Sequence, residues 1–252
     1  MDILTTVLTL VITAASLALL LWLTGRAREQ PDIVLRPLPA YAQLSKQIGR
    51  AVENGQGVHV ALGQASLAQS ANPVAAASLV ALDHVAAEAC AHDVPPLVTV
   101  GDGTLLLAAQ DSLRGAYAAA GRPGDYRPEL ARFVAPNSRP AAFAAGTSAI
   151  VGRADVGGNV MLGRFGPEWL LIAAAADRKG MEQIAASDDP LALAAIWPQV
   201  GQLLIGEELL ASAAYLRPEP AGIASAQVQD ILRWLAVAGL LLAAFYNLLV
   251  GR

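Results

Sequence analysis

The stretch that most constrains this chain is its first, Ile3 to Thr24, ILTTVLTLVITAASLALLLWLT. It carries no charge and is apolar apart from scattered Thr and Ser. A helix of about twenty residues, rising about 1.5 Å per residue, crosses a hydrocarbon core of roughly 30 Å. A second run of this kind, ILRWLAVAGLLLAAFYNLLV, extends from Ile231 to Val250. Together they divide the chain. Residues 1–25 read as a transmembrane helix, 26–40 as a linker with Pro31, Pro37 and Pro39, and 41–216 as a folded domain. Residues 217–230 read as a second linker, opened by Arg217-Pro-Glu-Pro, and 231–250 as a second transmembrane helix.

A cleaved signal peptide fits the first run poorly. Met1-Asp2 offers no positive side chain, and the apolar stretch exceeds the roughly 7–15 residues of a signal core. A retained anchor is expected. Arg26, Arg28 and Arg36 follow it, whereas only Asp2 and the terminal amine precede it, which favours a cytoplasmic domain. Arg217 and Arg233 lie on the domain side of the second run, and Arg252 lies beyond it. Arg233 is positioned to snorkel to the headgroups, and Trp234, Phe245 and Tyr246 suit the interfaces. Asn247 reads as a side chain at headgroup depth.

Between the anchors about two hundred residues remain, enough for one domain with its own core. The chain is 55% hydrophobic and 15% charged, with a formal net charge of -4. Mild acidity without clustered Lys and Arg argues against a nucleic-acid partner. Cys90 is the single cysteine, which excludes an intramolecular disulfide and a cysteine-based zinc site.

Periodicity gives the domain its order. Leu44, Ile48 and Val52 share one face of a helix over Ala42–Glu53, stopped by Asn54-Gly55. Val58–Leu62 (VHVAL) is a strand. Asn72-Pro73 has the chemistry of an N-cap and first helical residue, opening a helix to about His92. Leu97–Val100 is a second strand, and Thr104 to about Ala120 is a helix. Arg132–Ala135 is a third strand and Pro140–Gly152 a helix. Strand, helix, strand, helix, strand is the pattern of parallel α/β units. Asn159–Arg164 and Trp169–Ala174 read as a hairpin around Phe165-Gly166-Pro167-Glu168. Helices are then expected over Asp177–Ser187 and from Asp188-Asp189-Pro190 to Trp197, a strand over Gln202–Ile205, and a last helix over Glu207–Leu216. The expected fold class is α/β: a Rossmann-like, mostly parallel sheet with flanking helices, plus N- and C-terminal transmembrane helices.

Ligands of α/β sheets collect where strands end and helices begin. Gly101, Asp102, Gly103 and Thr104 form such a turn, and Gly63, Gln64, Ser66 and Ser70 lie at the equivalent end of the first strand. These are the candidate ligand-binding residues, for a small anion such as a nucleotide. The competing reading is structural: Asp102 or Thr104 caps the helix, the glycines make the turn, and Asp102 repels a phosphate. Neither GxGxxG nor GxxxxGK[ST] is present, and no motif requires a cofactor. His84, Glu88 and His92 recur every four residues on one helix face, a ligand set for zinc or iron in chemistry. No HExxH supports them, and a solvated polar face is the better reading. Cys90 reads as a small buried residue, Asp155 as part of a turn, and no GxSxG elbow occurs.

The segment SKQIGRAVENGQGVHVALGQASL (Ser45–Leu67), set between the first anchor and a small-residue α/β domain closed by a second anchor, resembles an uncharacterised bacterial membrane-protein family, a domain of unknown function. The resemblance implies two spans in a bacterial inner membrane. It brings no catalytic motif. The expected function is a membrane-anchored structural or assembly protein, leaning away from an enzyme, that forms a homo-oligomer through its α/β domain. Its partners are the lipid bilayer, further copies of itself and an unidentified membrane protein. The alternative is a membrane-anchored sensor or binding module for a small anion. A hydrolase or metalloenzyme using His84, Glu88 or Cys90 stands third.

Overall fold

A computed structural model describes residues 3–29, 35–68, 73–94 and 96–250. It divides into two units, Leu38–Ser212 and the pair Met1–Pro37 with Ala213–Arg252. The order of elements is α1 (Ile3–Glu29), α2 (Pro39–Glu53), β1 (Gly57–Gly63), α3 (Pro73–Ala91), β2 (Leu97–Val100), α4 (Gly103–Ala119), β3 (Ala131–Phe133), α5 (Pro140–Val151) and β4 (Val156–Arg164). There follow α6 (Leu170–Asp177), β5 (Gln183–Ser187), α7 (Pro190–Ile196), β6 (Gln202–Ile205), α8 (Glu207–Leu210), α9 (Ser212–Leu216) and α10 (Pro220–Val250).

Among the described residues six strands form one sheet in the order β3-β2-β1-β4-β5-β6, every pair parallel. The chain winds outward from β1 in one direction, then returns past it to β4 and winds outward in the other. That is a doubly wound sheet, with its reversal between β1 and β4. Parallel sheets are covered on both faces. Here α3 packs beside α2, α4 and α8, while α5, α6 and α7 pack in sequence as a second group. Ala61, Met161 and Ala185 share a core with the second group, built around Phe143, Trp169, Ile172 and Ile196. Trp169 is wholly buried, stacks on Phe165 at 4.7 Å and donates its indole N–H to the Ala192 carbonyl at 2.9 Å.

Two sequence expectations fail in this region. The hairpin is absent: Trp169 closes a 3-10 turn begun by Pro167, and Leu170–Asp177 is helix. Pro167 suits a first helical turn, the alanines from Ala173 to Ala176 favour helix, and the parallel pairing of β4 with β5 demands a crossover. The expected helix over Asp177–Ser187 is likewise replaced. Gly180, at φ +65°, ends the turn after α6, and the buried run Gln183–Ser187 becomes β5. The last helix, expected to be continuous, breaks at Ala211 into α8 and α9. Asn72, read as an N-cap, lies outside the described residues.

In the other unit, α1 runs to Glu29 and α10 begins at Pro220, so both stretches read as linkers are partly helix. Pro220 suits the first turn, and the residues after it carry a buried stripe in place of linker chemistry. Leu23 near the end of α1 packs with Ala224 and Val228 of α10, beside Leu19 and Leu20. Beyond this contact Leu10, Leu21 and Trp22 of α1 and Trp234, Leu240 and Leu248 of α10 are exposed. Among the described residues three helices are long and apolar enough to cross a membrane: Thr5–Glu29, Pro73–Ala91 and Pro220–Leu249. The second is α3, which buries Val74, Leu82 and Val85 within the α/β unit.

At their carboxyl ends β1 and β4 approach unusually closely. Met161 faces Ala61, yet Arg164 faces Gly63, so β4 holds one extra residue there, a bulge. Gly163 has φ +150°, and a methyl on it would overlap the Leu62 carbonyl oxygen. Gly163→Ala is therefore expected to cost about 2–4 kcal/mol, through strain and clash together. Thermal unfolding of that variant by circular dichroism should fall by roughly 5–15 °C; an unchanged melt would contradict the close approach.

Candidate functional site

The carboxyl ends of β1 and β2 bring the two predicted turns together. Gly101 N–H donates to the Gly63 carbonyl at 2.9 Å, and Leu67 N–H donates to Thr104 Oγ1 at 3.0 Å. Gly63 adopts φ +66°, and Gln64 N–H donates to the Arg164 carbonyl at 2.9 Å, carrying β1–β4 pairing beyond the strand. A methyl on Gly101 would lie 2.9 Å from Gln64 Cγ and 3.2 and 3.3 Å from the Gly63 and Ala135 carbonyl oxygens, so its neighbours would have to shift to admit one. Gly63, Gln64, Ser66, Gly101, Asp102, Gly103 and Thr104 thus form one connected edge. Ser70 lies outside the described residues.

The chemistry of that edge is set by Asp102. It is the N-cap of α4, accepting from Thr104 N–H at 2.8 Å and Leu105 N–H at 3.3 Å. The Thr104 and Ser66 hydroxyls also donate to it. Partial burial works to raise its pKa, but these donors outweigh burial and hold the carboxyl below its ordinary range. The amides an anion would take at this helix start are therefore bound to the chain's own carboxylate.

The same device recurs across the β1–β4 seam. Asp189 caps α7 through Leu191 N–H at 2.8 Å and Ala192 N–H at 3.2 Å. Arg164 at the end of β4 is paired with Asp188 at the end of β5. Gln64 Nε2 is buried without a hydrogen-bond partner among the described residues.

The metal candidates do not converge. His84 Nε2 lies 3.5 Å from Glu88 Oε2 on α3, half-buried, while His92 is exposed beyond the helix end. Among the described residues no group of three His, Cys, Asp or Glu side chains is placed to hold a metal. Cys90 is buried, and burial pushes its thiol up to about 11 against the opposing charge of Arg122, so it is a poor nucleophile. A cleft of about 350 Å³ is lined by Asp93, Tyr117, Arg122, Asp125 and Arg127. Arg122 is held there by Asp93 at 2.6 Å and Asp125 at 2.8 Å.

The sequence reading passed over the most polar part of the interior. His59 of β1, Asn159 of β4 and Gln183 of β5 stand in register, and Thr99 of β2 shares their face. All four are buried. His59 Nδ1 lies 2.8 Å from Asn159 Oδ1, and His59 Nε2 lies 2.9 Å from Thr99 Oγ1. Asn159 Nδ2 donates to Gln183 Oε1 at 3.1 Å, and Gln183 Nε2 donates to the Ala173 carbonyl at 3.0 Å and the Gln199 carbonyl at 3.3 Å. One direction satisfies the row: Thr99 donates to Nε2 of a neutral His59, whose Nδ1–H donates to Asn159. The signal was a lone His, a lone Asn and a lone Thr, each inside a short apolar strand.

Burial lowers the His59 pKa to about 4, against the opposing hydrogen bond with Asn159. The unfolded chain takes up this proton near pH 6.5, so between there and about pH 4 the unfolded state binds more protons. The stability of neutral His59 is whole above pH 6.5 and is lost as pH falls through this window, by about 3 kcal/mol. Urea unfolding at pH 7.5 and 4.5 should show that loss in the wild type and a loss smaller by about that amount in His59→Gln. Equal losses in both would contradict a neutral buried imidazole.

Comparison with curated proteins and with solved structures gives no match. The model of one family, DUF6754, described as a domain of unknown function, matches residues 2–251. The chain, from its first apolar helix through the doubly wound sheet to its last, belongs to that family.

Proposed function

We propose that this protein is a membrane-anchored assembly protein: α1 and α10 tether it to a bilayer, and its Rossmann-like α/β domain self-associates into a homo-oligomer. The observation that carries this reading is the self-satisfied strand-end edge. Where a doubly wound sheet ordinarily holds its ligand, Asp102 and Asp189 fill the helix starts and Arg164 is bound by Asp188. The anchoring half of the proposal draws support from exposed apolar side chains along both terminal helices, with Arg26 and Arg28 closing α1. By the positive-inside tendency the domain faces the cytoplasm of a bacterial cell, the membrane is the inner one, and both termini lie outside. An unidentified membrane protein is a further candidate partner.

The second reading is a sensor for a small anion, and one observation favours it: Gln64, at the strand-end edge, has a buried Nε2 donor without a partner among the described residues. The two readings separate on mass and on Gln64. Native mass spectrometry of the full chain in lipid nanodiscs should give a discrete homo-oligomer with no small molecule attached. Asp102→Ala should leave that mass unchanged and lower stability by about 1 kcal/mol, the worth of a helix cap. A monomer carrying a bound anion, released by Gln64→Ala, would contradict the assembly reading and establish the sensor.

A further inference from the structure

The two terminal helices meet at unequal places in their apolar runs. On α1 the contact lies inside the run, at Leu19, Leu20 and Leu23. On α10 it lies ahead of the run, at Ala224 and Val228, whereas the run starts at Ile231. Past the contact, residues 5–15 and 234–249 are exposed, so the pairing is confined to these ends.

As two spans leaving one domain, the helices run in opposite senses. From the centre of the contact, at about 1.5 Å per residue, the apolar run of α1 reaches about 5 Å toward the domain. That of α10 starts only about 8 Å away in the other direction. The runs are therefore out of step by about 12 Å, and Trp234 stands about 13 Å along the axis from Trp22.

Length decides which helix holds its place in the bilayer. Asp2 and Arg26 bracket the charge-free run of α1, which at about 1.5 Å per residue only just exceeds a hydrocarbon core of roughly 30 Å. Raising it toward the domain would carry Asp2 into the hydrocarbon. α10 has slack, because from Ala224 to Val250 it is about 40 Å long and fits by tilting. The domain-side surface is thus held near Trp22, where the Arg26 guanidinium lies 5.9 Å from the indole, an arrangement suited to headgroup level. Asp230 and Arg233, 3.6 Å apart on α10, then lie about 8 and 12 Å along the helix below the level of Trp22. An ion in hydrocarbon costs several times what a leucine gains there, so this pair keeps its water only if the surface dips to meet it.

We infer that the domain-side membrane surface is stepped around this helix pair. It is level with Trp22 beside α1, and beside α10 it is drawn down until lipid headgroups and their water reach Asp230 and Arg233. The partner of this surface is lipid, and its effect is to thin one leaflet on one side of the protein. The inference rests on the anchoring reading above and adds to it the depth of each helix and the charges that bend the leaflet.

The test uses the full chain in phosphatidylcholine proteoliposomes. Subtracting the fluorescence of Trp22→Phe or Trp234→Phe from that of the wild type isolates each ring, and lipids brominated at shallow or deep acyl positions locate it. Trp234 should lie deeper than Trp22 by about 10 Å, the axial offset shortened by tilt, and yet emit as a hydrated indole. Asp230→Leu with Arg233→Leu should move the Trp234 emission to shorter wavelength and leave that of Trp22 in place, because the water follows the charges. Both rings at one depth, or a Trp234 emission that ignores the double substitution, would overturn this inference and leave the anchoring reading standing. Quenching of neither ring by any brominated lipid would overturn both.

Discussion

The pairing of β1 with β4 is the contact on which the α/β unit depends. These strands meet where the winding reverses, so each half of the sheet reaches the other only through them. Three features make the seam close. A bulge at Gly163 lets the backbones touch, Gln64 extends the ladder past the strand end, and His59 bonds Asn159 across the middle. At the opposite end Lys179 Nζ donates to the Val151 and Val156 carbonyls, fixing the turn that delivers β4. A buried polar row is costly unless complete, and here each member has a partner of the right kind. The row also specifies register, because a slip of one residue would turn His59 away from Asn159 toward the other face.

Much of the fold was legible from short-range chemistry. Strands β1, β2, β3 and β6 announced themselves as apolar runs between glycines and prolines, and α3 to α5 as the helices between them. What failed was the stretch from Phe165 to Ser187. WLLIAA has strand-like composition when read alone, and only the parallel sheet, a long-range fact, decides that it must cross over as helix. Gln183–Ser187 failed for the converse reason: IAAS is weak in strand propensity and becomes a strand because it fills a buried slot beside β4. The terminal linkers were overestimated because proline was read as a breaker, whereas Pro220 starts a helix.

The candidate edge was legible as a place and less so as chemistry. Spacing put Gly63–Ser66 and Gly101–Thr104 at adjacent strand ends, and they are joined by direct hydrogen bonds. That Asp102 closes its own helix start was the structural alternative at that position, and the geometry has that form. The His59 row was not read at all. Its members are 124 residues apart at the extremes, from His59 to Gln183, and only the register of three parallel strands aligns them.

A rigid seam with softer rims makes a direct demand on amide exchange. Hydrogen–deuterium exchange on the full chain in lipid nanodiscs, at neutral pH, reads every strand at once. The account predicts that amides of 58–62 and 158–162 exchange only on global unfolding, the slowest in the α/β unit, with β3 and β6 faster by at least about tenfold. Exchange in β1 and β4 as fast as in the two edge strands would contradict it, because the sheet would then have no central seam on which its halves depend.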